Sequence, residues 1–363
     1  MSLNPFQLLS PRRFLGIDVG SSYVKIVEIS KLGYRRKLEN YGSLAASVLY
    51  EKPFRTFEKS TLLLSNQDVA RAILAIIDEA KMKTRQVIFS IPDFSTFFTN
   101  IELPPMTKEE LPQAVKYEAR QLIPVPVEEV TLDWQIIEGG ISSEKKTKLK
   151  ILLAAVPNEV INQYREIAEL SQLKLVALEA EVFGLIRSLI KEDEVGATAI
   201  IDIGVRSTTC NITDKKILQI SYSFDMGGNE FTEVISKGLS VDYREAETLE
   251  KKYGILSLGG GGKEKDVGQI LLPLIDVILR EVERIFYNFS IKNEKKIQKI
   301  ILAGGLALLP GLKEYFGANL KKEIEIANPF HNIFYPPVLE GTLKEMGPGY
   351  AVAVGMALRG LEH

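Results

Sequence analysis

The first regular pattern of apolar and polar residues predicts a β-hairpin near the start of the chain. In FLGIDVGSSYVKIVEIS, residues 14–30, an apolar strand ends at Asp18, a turn forms around Gly20, and a second strand follows. The turn carries two serines, and Lys25 lies in the second strand. An acid, two hydroxyls and a cation at one turn suit a phosphate and its metal ion, so the hairpin is a candidate phosphate site.

The same layout occurs a second time, about half the chain later. In ATAIIDIGVRSTTCNITD, residues 197–214, an apolar strand leads to Asp202 and Gly204, and Ser207 and Thr208 precede a further strand. Such internal repetition predicts a fold built from two similar halves. The alternative is two unrelated hairpins that share turn-forming residues.

A third element makes the repeat more specific. The stretch IQKIILAGGLALLPGLKEYF, residues 297–316, predicts a buried strand that runs through Gly304 and Gly305 into a helix. Glycines at such a junction let a ligand approach the backbone closely, and a helix N-terminus favours anionic groups. Two hairpins followed by this turn, in this order, are more specific than any of the three alone.

Together these elements resemble the actin-like ATPase superfamily, which includes actin, MreB and FtsA. In that superfamily two similar α/β domains close on ATP, each supplies one phosphate-binding hairpin, and a late glycine turn holds the adenosine. The resemblance implies a Mg²⁺ ion held through water by Asp18 and Asp202. It implies nucleotide contacts from the first phosphate loop, the second phosphate loop and the adenosine turn: Gly20, Ser21, Ser22 and Lys25; Gly204, Ser207 and Thr208; Gly304 and Gly305.

Two further segments match the superfamily. In LEAEVFGLIRSL, residues 178–189, Glu181 matches the acid that orients the attacking water, with Glu179 beside it. The alternative for Glu181 is an acid on a solvated helix face. The pair Gly227 and Gly228 resembles a stretch near the nucleotide, for which a simple turn is the alternative.

One helix departs from the MreB pattern Ala-Glu-x-x-Lys, in which the acid and the lysine touch the ribose and adenine. The segment AETLEKKYG, residues 246–254, has Glu247 in place, but Glu250 stands at the lysine position. Lys251 comes one residue late, about 100° around the helix. Leu306 also replaces a glycine that is common in the adenosine turn. ATP binding is still expected, and these departures leave its tightness open.

Between the hairpins, a strand–helix–strand–strand–helix pattern predicts a module inserted into the first half, over residues 93–176. Its helix is expected to start with a capping box at Thr107 and Glu110, and residues 142–150 predict an exposed turn. FtsA has a comparable insertion, called subdomain 1C. The sequence EELPQAVKYEARQLIPVPVEEVTLDWQII in this module closely resembles the PilM family of type IV pilus assembly proteins. The matching positions are Tyr117, Glu118, Ala119, Ile123, Pro124, Pro126, Leu132, Asp133, Trp134 and Gln135.

The resemblance implies an α/β fold of the actin-like ATPase class. We expect two duplicated ribonuclease-H-like domains with an inserted FtsA-type 1C (SHS2-like) subdomain. The expected subdomains are 1A (12–92), 1C (93–176), a return to 1A (177–195), 2A (196–230), 2B (231–296), 2A again (297–342) and a C-terminal helix that packs back on 1A (343–360).

Composition narrows the function classes. The 363 residues carry a net charge of −2, which gives no reason to expect nucleic acid as a partner. The single cysteine, Cys210, excludes an internal disulfide, and a reducing compartment fits best. Only His331 and His363 offer imidazole, which argues against histidine-ligated metals. No apolar run approaches the ~20 residues of a membrane span, and the glycine-rich stretch 254–268 lacks the residues of a P-loop.

The resemblance implies a cytoplasmic ATP-binding scaffold of type IV pilus biogenesis, peripheral to the inner membrane through its partner. In that family the N-terminal cytoplasmic peptide of the membrane protein PilN lies in a groove between subdomains 1A and 1C, and the complex is linked to the motor ATPases. ATP hydrolysis is expected to be slow or absent, and self-association is left open. One alternative is an FtsA-like membrane-associated cell-division filament protein, disfavoured because no amphipathic helix follows the ending GPGYAVAVGMALRG. The other is a small-molecule kinase, for which no sugar-binding pattern is found.

Overall fold

The computed structural model describes residues 11–46, 55–58, 61–139, 148–256 and 263–362, so the expected turn at 142–150 and the glycine-rich stretch 254–268 lie partly outside it. The strands are β1 (Arg12–Val19), β2 (Tyr23–Leu32), β3 (Arg35–Ala45), β4 (Arg55–Glu58), β5 (Thr61–Leu64), β6 (Gln86–Ile91), β7 (Phe97–Leu103), β8 (Val130–Glu138), β9 (Leu149–Pro157), β10 (Lys174–Ala180), β11 (Ala197–Ile203), β12 (Thr208–Asp214), β13 (Ile217–Phe224), β14 (Ile297–Ala303) and β15 (Glu323–Ile326). The helices are α1 (Asn66–Glu79), α2 (Leu111–Leu122), α3 (Asn158–Leu170), α4 (Glu181–Leu189), α5 (Gly228–Leu239), α6 (Tyr243–Tyr253), α7 (Lys263–Asn293), α8 (Leu312–Leu320) and α9 (Glu340–Gly360).

Two five-stranded sheets in the described part of the chain repeat one arrangement. Their strand orders are β3-β2-β1-β6-β10 and β13-β12-β11-β14-β15. In each, the first three strands in the chain pair antiparallel as a meander, and the last two join in parallel beside the opening strand. The two hairpins found in the sequence are therefore the same part of two equivalent sheets.

Strand alternation turns the two hairpin acids toward the centre of the molecule. On β1, Leu15 and Ile17 belong to an outer core under α1 and α3, whereas Phe14 belongs to a core shared by both sheets. Because side chains alternate along a strand, Asp18 lies on the same face as Phe14. On β11, Ile200 is in that shared core, so Asp202, two residues later, also faces it.

Helices α4 and α9 fill the space between the sheets, and glycines let them approach closely. A Cβ atom at Gly355 of α9 would lie 2.0 Å from the carbonyl oxygen of Gly184 in α4. A Cβ atom at Gly16 of β1 would lie 1.9 Å from the carbonyl oxygen of Ala353. Only glycine fits at such backbone-to-backbone contacts, so these positions fix how the last helix docks.

The segment between β6 and β10 carries its own small sheet, in the order β7-β9-β8, covered by α2. The buried face of α2 (Leu111, Val115 and Ala119) packs on this sheet. We call β7, α2, β8 and β9 the inserted module. Helix α3 lies within the predicted 93–176 range but packs on the first sheet, where the rings of Tyr164 and Phe89 are 5.7 Å apart.

The start of α2 lies three residues after the one the capping box predicts, with Glu110 and not Thr107 as the N-cap residue. The backbone amide of Thr107 donates to Glu110 Oε2 at 2.8 Å and that of Glu110 faces Thr107 Oγ1 at 3.4 Å, yet the helix begins only at Leu111. A helix that started at Thr107 would place Pro112 beyond the first turn, where it removes a hydrogen bond and clashes with the preceding turn. Across the described residues, none of the helices has the length and apolarity needed to cross a membrane.

Candidate functional site

The two hairpin turns have the same backbone geometry. The amide of Gly20 donates to the carbonyl of Tyr23 at 2.8 Å, and the amide of Gly204 donates to the carbonyl of Ser207 at 2.9 Å. A Cβ atom at Gly20 or Gly204 would lie 3.0 Å from the same acceptor in each case. The sequence repeat therefore extends to the hydrogen bond that closes each turn.

The first turn is held mainly by side chains, and the backbone amide of Ala46 also donates to the carbonyl of Ser22 at 2.7 Å. Asp18 is only 7% exposed and accepts a hydrogen bond from Ser90 Oγ at 3.1 Å. Lys25 reaches α9, where its Nζ donates to the carbonyl of Gly349 at 2.6 Å. The serines at 21 and 22 are partly buried within the turn.

The second turn is held by backbone contacts with the start of α5. The amides of Gly228 and Asn229 donate to the carbonyls of Gly204 and Val205, at 3.0 and 2.7 Å. A Cβ atom at Gly227 would lie 2.7 Å from the carbonyl oxygen of Gly204. The turn thus satisfies amides that a helix N-terminus leaves without partners, and Gly227 and Gly228 adjoin the second phosphate loop.

The two hydroxyl side chains of the second turn, Thr208 and Ser207, differ in burial. Thr208 is buried, and its Oγ1 donates to the carbonyl of Met226 at 2.7 Å. Ser207 is partly exposed. Of the two predicted phosphate contacts, Thr208 is therefore engaged with its own half of the molecule.

The glycine turn after β14 packs directly on the second hairpin. Gly304 has φ +88°, and a Cβ atom there would lie 2.3 Å from the carbonyl oxygen of Ile203 and 2.4 Å from Asp202 Oδ1. A Cβ atom at Gly305 would meet no atom within 4 Å. The first glycine is required by the fold, and the second leaves open space of the kind an approaching ligand needs.

Adjacent carbonyls on α9 link the two halves of the site. The amide of Gly304 donates to the carbonyl of Pro348 at 3.0 Å, and Lys25 donates to that of Gly349. The adenosine turn of the second half and the lysine of the first half are therefore attached to one point of a single helix.

The two candidate acids before and within α4 have different partners. Glu179 forms an ion pair with Arg187 at 2.6 Å. Glu181 is 8% exposed, so the solvated-face alternative does not hold, and its Oε2 accepts from the amide of Asp93 at 3.4 Å. Glu181 is the acid of this pair that faces the interior between the halves.

Asp93 is a buried acid that the sequence reasoning missed. Its Oδ1 accepts from the amide of Val182 at 2.9 Å, and its Oδ2 faces Asn211 Nδ2 at 3.4 Å. Burial and the nearby Glu181 carboxylate raise the pKa of Asp93 well above its usual value, and Asp202 adds to the effect. A usable signal was that Asp93 follows β6, the parallel neighbour of β1, so it lies at the same sheet edge as Asp18.

The predicted ribose and adenine residues lie on α6. Glu247 forms an ion pair with Lys251 at 2.6 Å, and Lys251 lies near Tyr23, beside the first turn. Glu250 is 3% exposed and accepts a hydrogen bond from Thr232 Oγ1 at 2.6 Å. Burial raises the pKa of Glu250 to about 7.

The acidic side chains of the site do not form a direct metal-binding cluster in the described part of the chain. Among the described residues, no three His, Cys, Asp or Glu side chains are grouped so that they hold a metal ion directly. Asp18 and Asp202 face the shared core from opposite sheets, so a magnesium ion between them fits only with water completing most of its ligands.

The chain matches known proteins over nearly its whole length. The family model described as type IV pilus assembly protein PilM matches residues 16–361. A solved structure described as the PilM-PilN type IV pilus biogenesis complex is similar, with a TM-score of 0.81 and 24% identity over 96% of this chain and 98% of that chain. MreB 5 of Spiroplasma citri bound to AMPPNP gives a TM-score of 0.54 and 14% identity, over 96% of this chain and 95% of that one.

Similarity to a cell-division protein covers less of the chain. FtsA of Staphylococcus epidermidis is 28% identical over 154 residues, which are 38% of this chain and 33% of that relative's length. The alignment thus spans about a third of the relative. Taken with the solved structures, these matches confirm the predicted fold class, an α/β fold of the actin-like ATPases.

Proposed function

The chain belongs to the PilM family of type IV pilus assembly proteins, and from this premise we propose that it is a nucleotide-binding scaffold of pilus assembly. The observation that carries the proposal is that the first hairpin, through Lys25, and the adenosine turn packed on the second hairpin, through Gly304, are attached to adjacent carbonyls of α9. A ligand that bridges the turns would hold the two halves together. The scaffold role follows from a family whose solved relative is a complex with PilN.

Mg·ATP is the proposed ligand, and each half supplies a phosphate contact. Amides of both hairpin turns and Lys25 would bind phosphate oxygens, and the open side of Gly305 would admit the adenosine. Asp18 and Asp202 would hold Mg²⁺ through water, and the ion would neutralise phosphate charge. Glu181 is the group proposed to orient water, and a nucleotide that acts as a clamp needs no rapid turnover.

The proposed partner site is a cavity of about 410 Å³ between the inserted module and the start of α3. Its lining combines three acids with apolar groups: Val125, Glu128, Glu129, Val130, Pro157, Asn158 and Glu159. Leu122 and Val125 in the same segment are 44% and 43% exposed. A peptide with apolar and basic side chains complements such a surface. We therefore propose that the N-terminal peptide of a PilN-type protein binds here. All residues that line this cavity lie within the range 93–176 predicted for subdomain 1C, whereas the groove expected from the resemblance lies between subdomains 1A and 1C.

This partner would fix where the protein works. Binding to the cytoplasmic end of an inner-membrane protein would hold the chain at the cytoplasmic side of that membrane. The proposal includes a link from this complex to the pilus motor ATPases.

Calorimetric titration of the purified protein with a synthetic PilN N-terminal peptide, with and without Mg·ATP, tests the proposal. We expect micromolar or tighter binding, about −8 kcal/mol or better. Glu159→Lys should weaken the peptide at least tenfold, because it reverses a charge in the groove. Glu169→Lys makes the same change near the other end of α3 and should leave the affinity within about twofold. Equal effects of the two variants would place the peptide elsewhere.

The FtsA-like alternative is supported by the partial match to FtsA. It predicts ATP-dependent filaments that sediment and are visible by electron microscopy. Filaments without peptide binding would favour it over the scaffold.

A further inference from the structure

Asp93 lies where the chain leaves the first sheet for the inserted module. Strand β6 ends at Ile91 and β7 begins at Phe97, so Asp93 belongs to the short link between them. Links of this kind usually run over the surface. Asp93 is instead 4% exposed, which means that this link passes through the interior between the two halves.

Within the first half, Asp93 fixes the start of α4. Its Oδ1 accepts from the amide of Val182 at 2.9 Å, a contact that satisfies one donor of the first turn. Its own amide faces Glu181 Oε2 at 3.4 Å. The position of the Glu181 side chain therefore depends on where Asp93 lies.

Asp93 also touches the second half, through Asn211 of β12. Asn211 is fully buried, and its Nδ2 lies 3.4 Å from Asp93 Oδ2. The other side-chain atom, Asn211 Oδ1, is buried without a hydrogen-bond partner. Buried amide oxygens seldom stay unpaired, and the contact from Asn211 Nδ2 to Asp93 is long. A small movement of one half against the other would therefore change both the Nδ2 contact and the surroundings of Oδ1.

Strand β7, which follows Asp93, is packed between α4 and the second half. The rings of Phe98 and Phe183 meet edge to face, with centroids 6.0 Å apart. Asn100 Nδ2 donates to the carbonyl of Gln219 in β13 at 3.2 Å. A cavity of about 170 Å³ separates β7 from β13 nearby, so the two strands are not tightly packed along their length.

We propose that Asp93 is a positioning residue that, through Asn211, couples closure of the two halves on a nucleotide to the placement of Glu181 and of the inserted module. The inference rests on the proposed function, since it names the path between its nucleotide site and its partner site. Coupling of this kind is reciprocal, so the peptide must change ATP affinity by the same factor as ATP changes peptide affinity.

The single tryptophan provides a direct readout of the module. Trp134 lies on β8, half-buried against the module core, and no other tryptophan contributes to the emission. Saturating Mg·ATP should shift or quench the Trp134 emission of the wild-type protein. It should also change the affinity for the PilN peptide at least about fivefold in calorimetry.

Two asparagines that bridge the halves give a matched pair of variants. Asn211→Ala should keep the affinity for Mg·ATP within about threefold but abolish the change in Trp134 emission. The ratio of PilN-peptide affinities with and without Mg·ATP should then be close to one. Asn100→Ala removes the contact between β7 and β13 and should retain the coupling. Loss of coupling in Asn100→Ala with retention in Asn211→Ala would overturn the proposal.

A conservative variant guards against general disruption of the buried site. Asp93→Asn keeps the acceptor for Val182, and after the Asn211 amide flips, the new side-chain NH2 group can donate to Asn211 Oδ1. This variant should therefore keep the coupling that Asp93→Ala loses. Loss in both would exclude the hydrogen-bonded path. A wild-type protein that binds both ligands with an affinity ratio of one also overturns the inference and leaves the scaffold standing, whereas failure to bind either ligand removes the proposed function.

Discussion

The two hairpin turns share one backbone geometry but are held in place by different means. The first turn is connected to its surroundings mainly through side chains, with Asp18 bonded to Ser90 and Lys25 bonded to α9, besides one backbone bond from Ala46 to Ser22. The second turn is connected mainly through backbone, because its carbonyls accept the first amides of α5, and Thr208 adds one side-chain bond to Met226. A repeated motif therefore does not imply repeated sensitivity to mutation. Around the second turn, substitutions that add atoms in tightly packed space should lower the free energy of unfolding. At the first turn, substitutions that remove charged or polar side chains should weaken ligand binding.

The largest effect is expected next to the second turn, at Gly304. Gly304→Ala combines a positive φ with a Cβ contact of 2.3 Å to the carbonyl of Ile203, and should lower the free energy of unfolding by about 4 kcal/mol. Gly305→Ala is the matched control, since its Cβ meets nothing, and should stay within about 1 kcal/mol. Urea denaturation of both variants measures the difference. Similar losses at both positions would remove the argument from backbone packing.

Substituting one side chain in each hairpin should separate effects on ATP affinity from effects on stability. Lys25→Met removes a cation from the first turn and should weaken Mg·ATP about ten- to a hundredfold, the usual range for a charged hydrogen bond. Thr208→Val leaves the carbonyl of Met226 unpaired and should cost about 1–3 kcal/mol of stability with little change in ATP affinity. Titration calorimetry and thermal unfolding of both proteins check this. The reverse assignment of effects would contradict the comparison.

The helix capped by the second turn has a pH-dependent support, because Thr232 of α5 bonds to Glu250. In the unfolded chain Glu250 ionises near its ordinary value, so from there up to about pH 7 the folded state binds more protons. Stability from this group is therefore present at low pH and lost as pH rises through that window. Glu250→Gln stays neutral and keeps the acceptor. Its stability relative to wild type should rise by about 2 kcal/mol from pH 5 to pH 8.

Urea denaturation at several pH values measures the Glu250→Gln difference. The exposed Glu245 on the same helix, changed to Gln, serves as the control for the loss of one charge, and at a single pH should change stability by no more than about 0.5 kcal/mol. A flat profile for Glu250→Gln would mean that the carboxyl ionises normally in the folded state.

The smallest effects should be equal at the two turns. Gly20→Ala and Gly204→Ala each bring a Cβ atom to 3.0 Å from one carbonyl oxygen. Each should therefore lower the free energy of unfolding by about 1 kcal/mol, and the two losses should be similar. Thermal unfolding of the pair compares them directly. A difference above about 1 kcal/mol would show that the shared hydrogen bond does not make the turns equivalent.

Local patterns predicted the parts of the fold that depend on local physics. The two hairpins, the strand before Gly304 and the helix at Glu181 all follow from apolar periodicity and turn residues. The onset of α2 was displaced because Pro112 outweighs a capping box whose bonds still form. The boundaries of the subdomains stay a prediction, and the packing of α3 on the first sheet depends on contacts that no local pattern encodes.

The site was predictable where chain order places residues and not where contacts cross the halves. Both aspartates and all four turn glycines could be located from strand ends. The engagement of Lys25 with α9 and of Asp93 with Asn211 joins residues far apart in the chain. The residue roles predicted for nucleotide binding remain predictions, and the experiments above address them.

The docking of α9 has a consequence for the order of events during synthesis. All strands of the first sheet lie between Arg12 and Ala180, yet Gly16 of β1 packs against Ala353 of α9. A Cβ atom at Gly16 would lie 1.9 Å from the carbonyl oxygen of Ala353. One face of the nascent sheet must therefore stay uncovered until α9 has left the ribosome, although domains usually fold as they emerge. We expect a chain truncated after Leu339 to be cut rapidly by protease within its first sheet. Protection equal to the full chain would show that the early half matures alone.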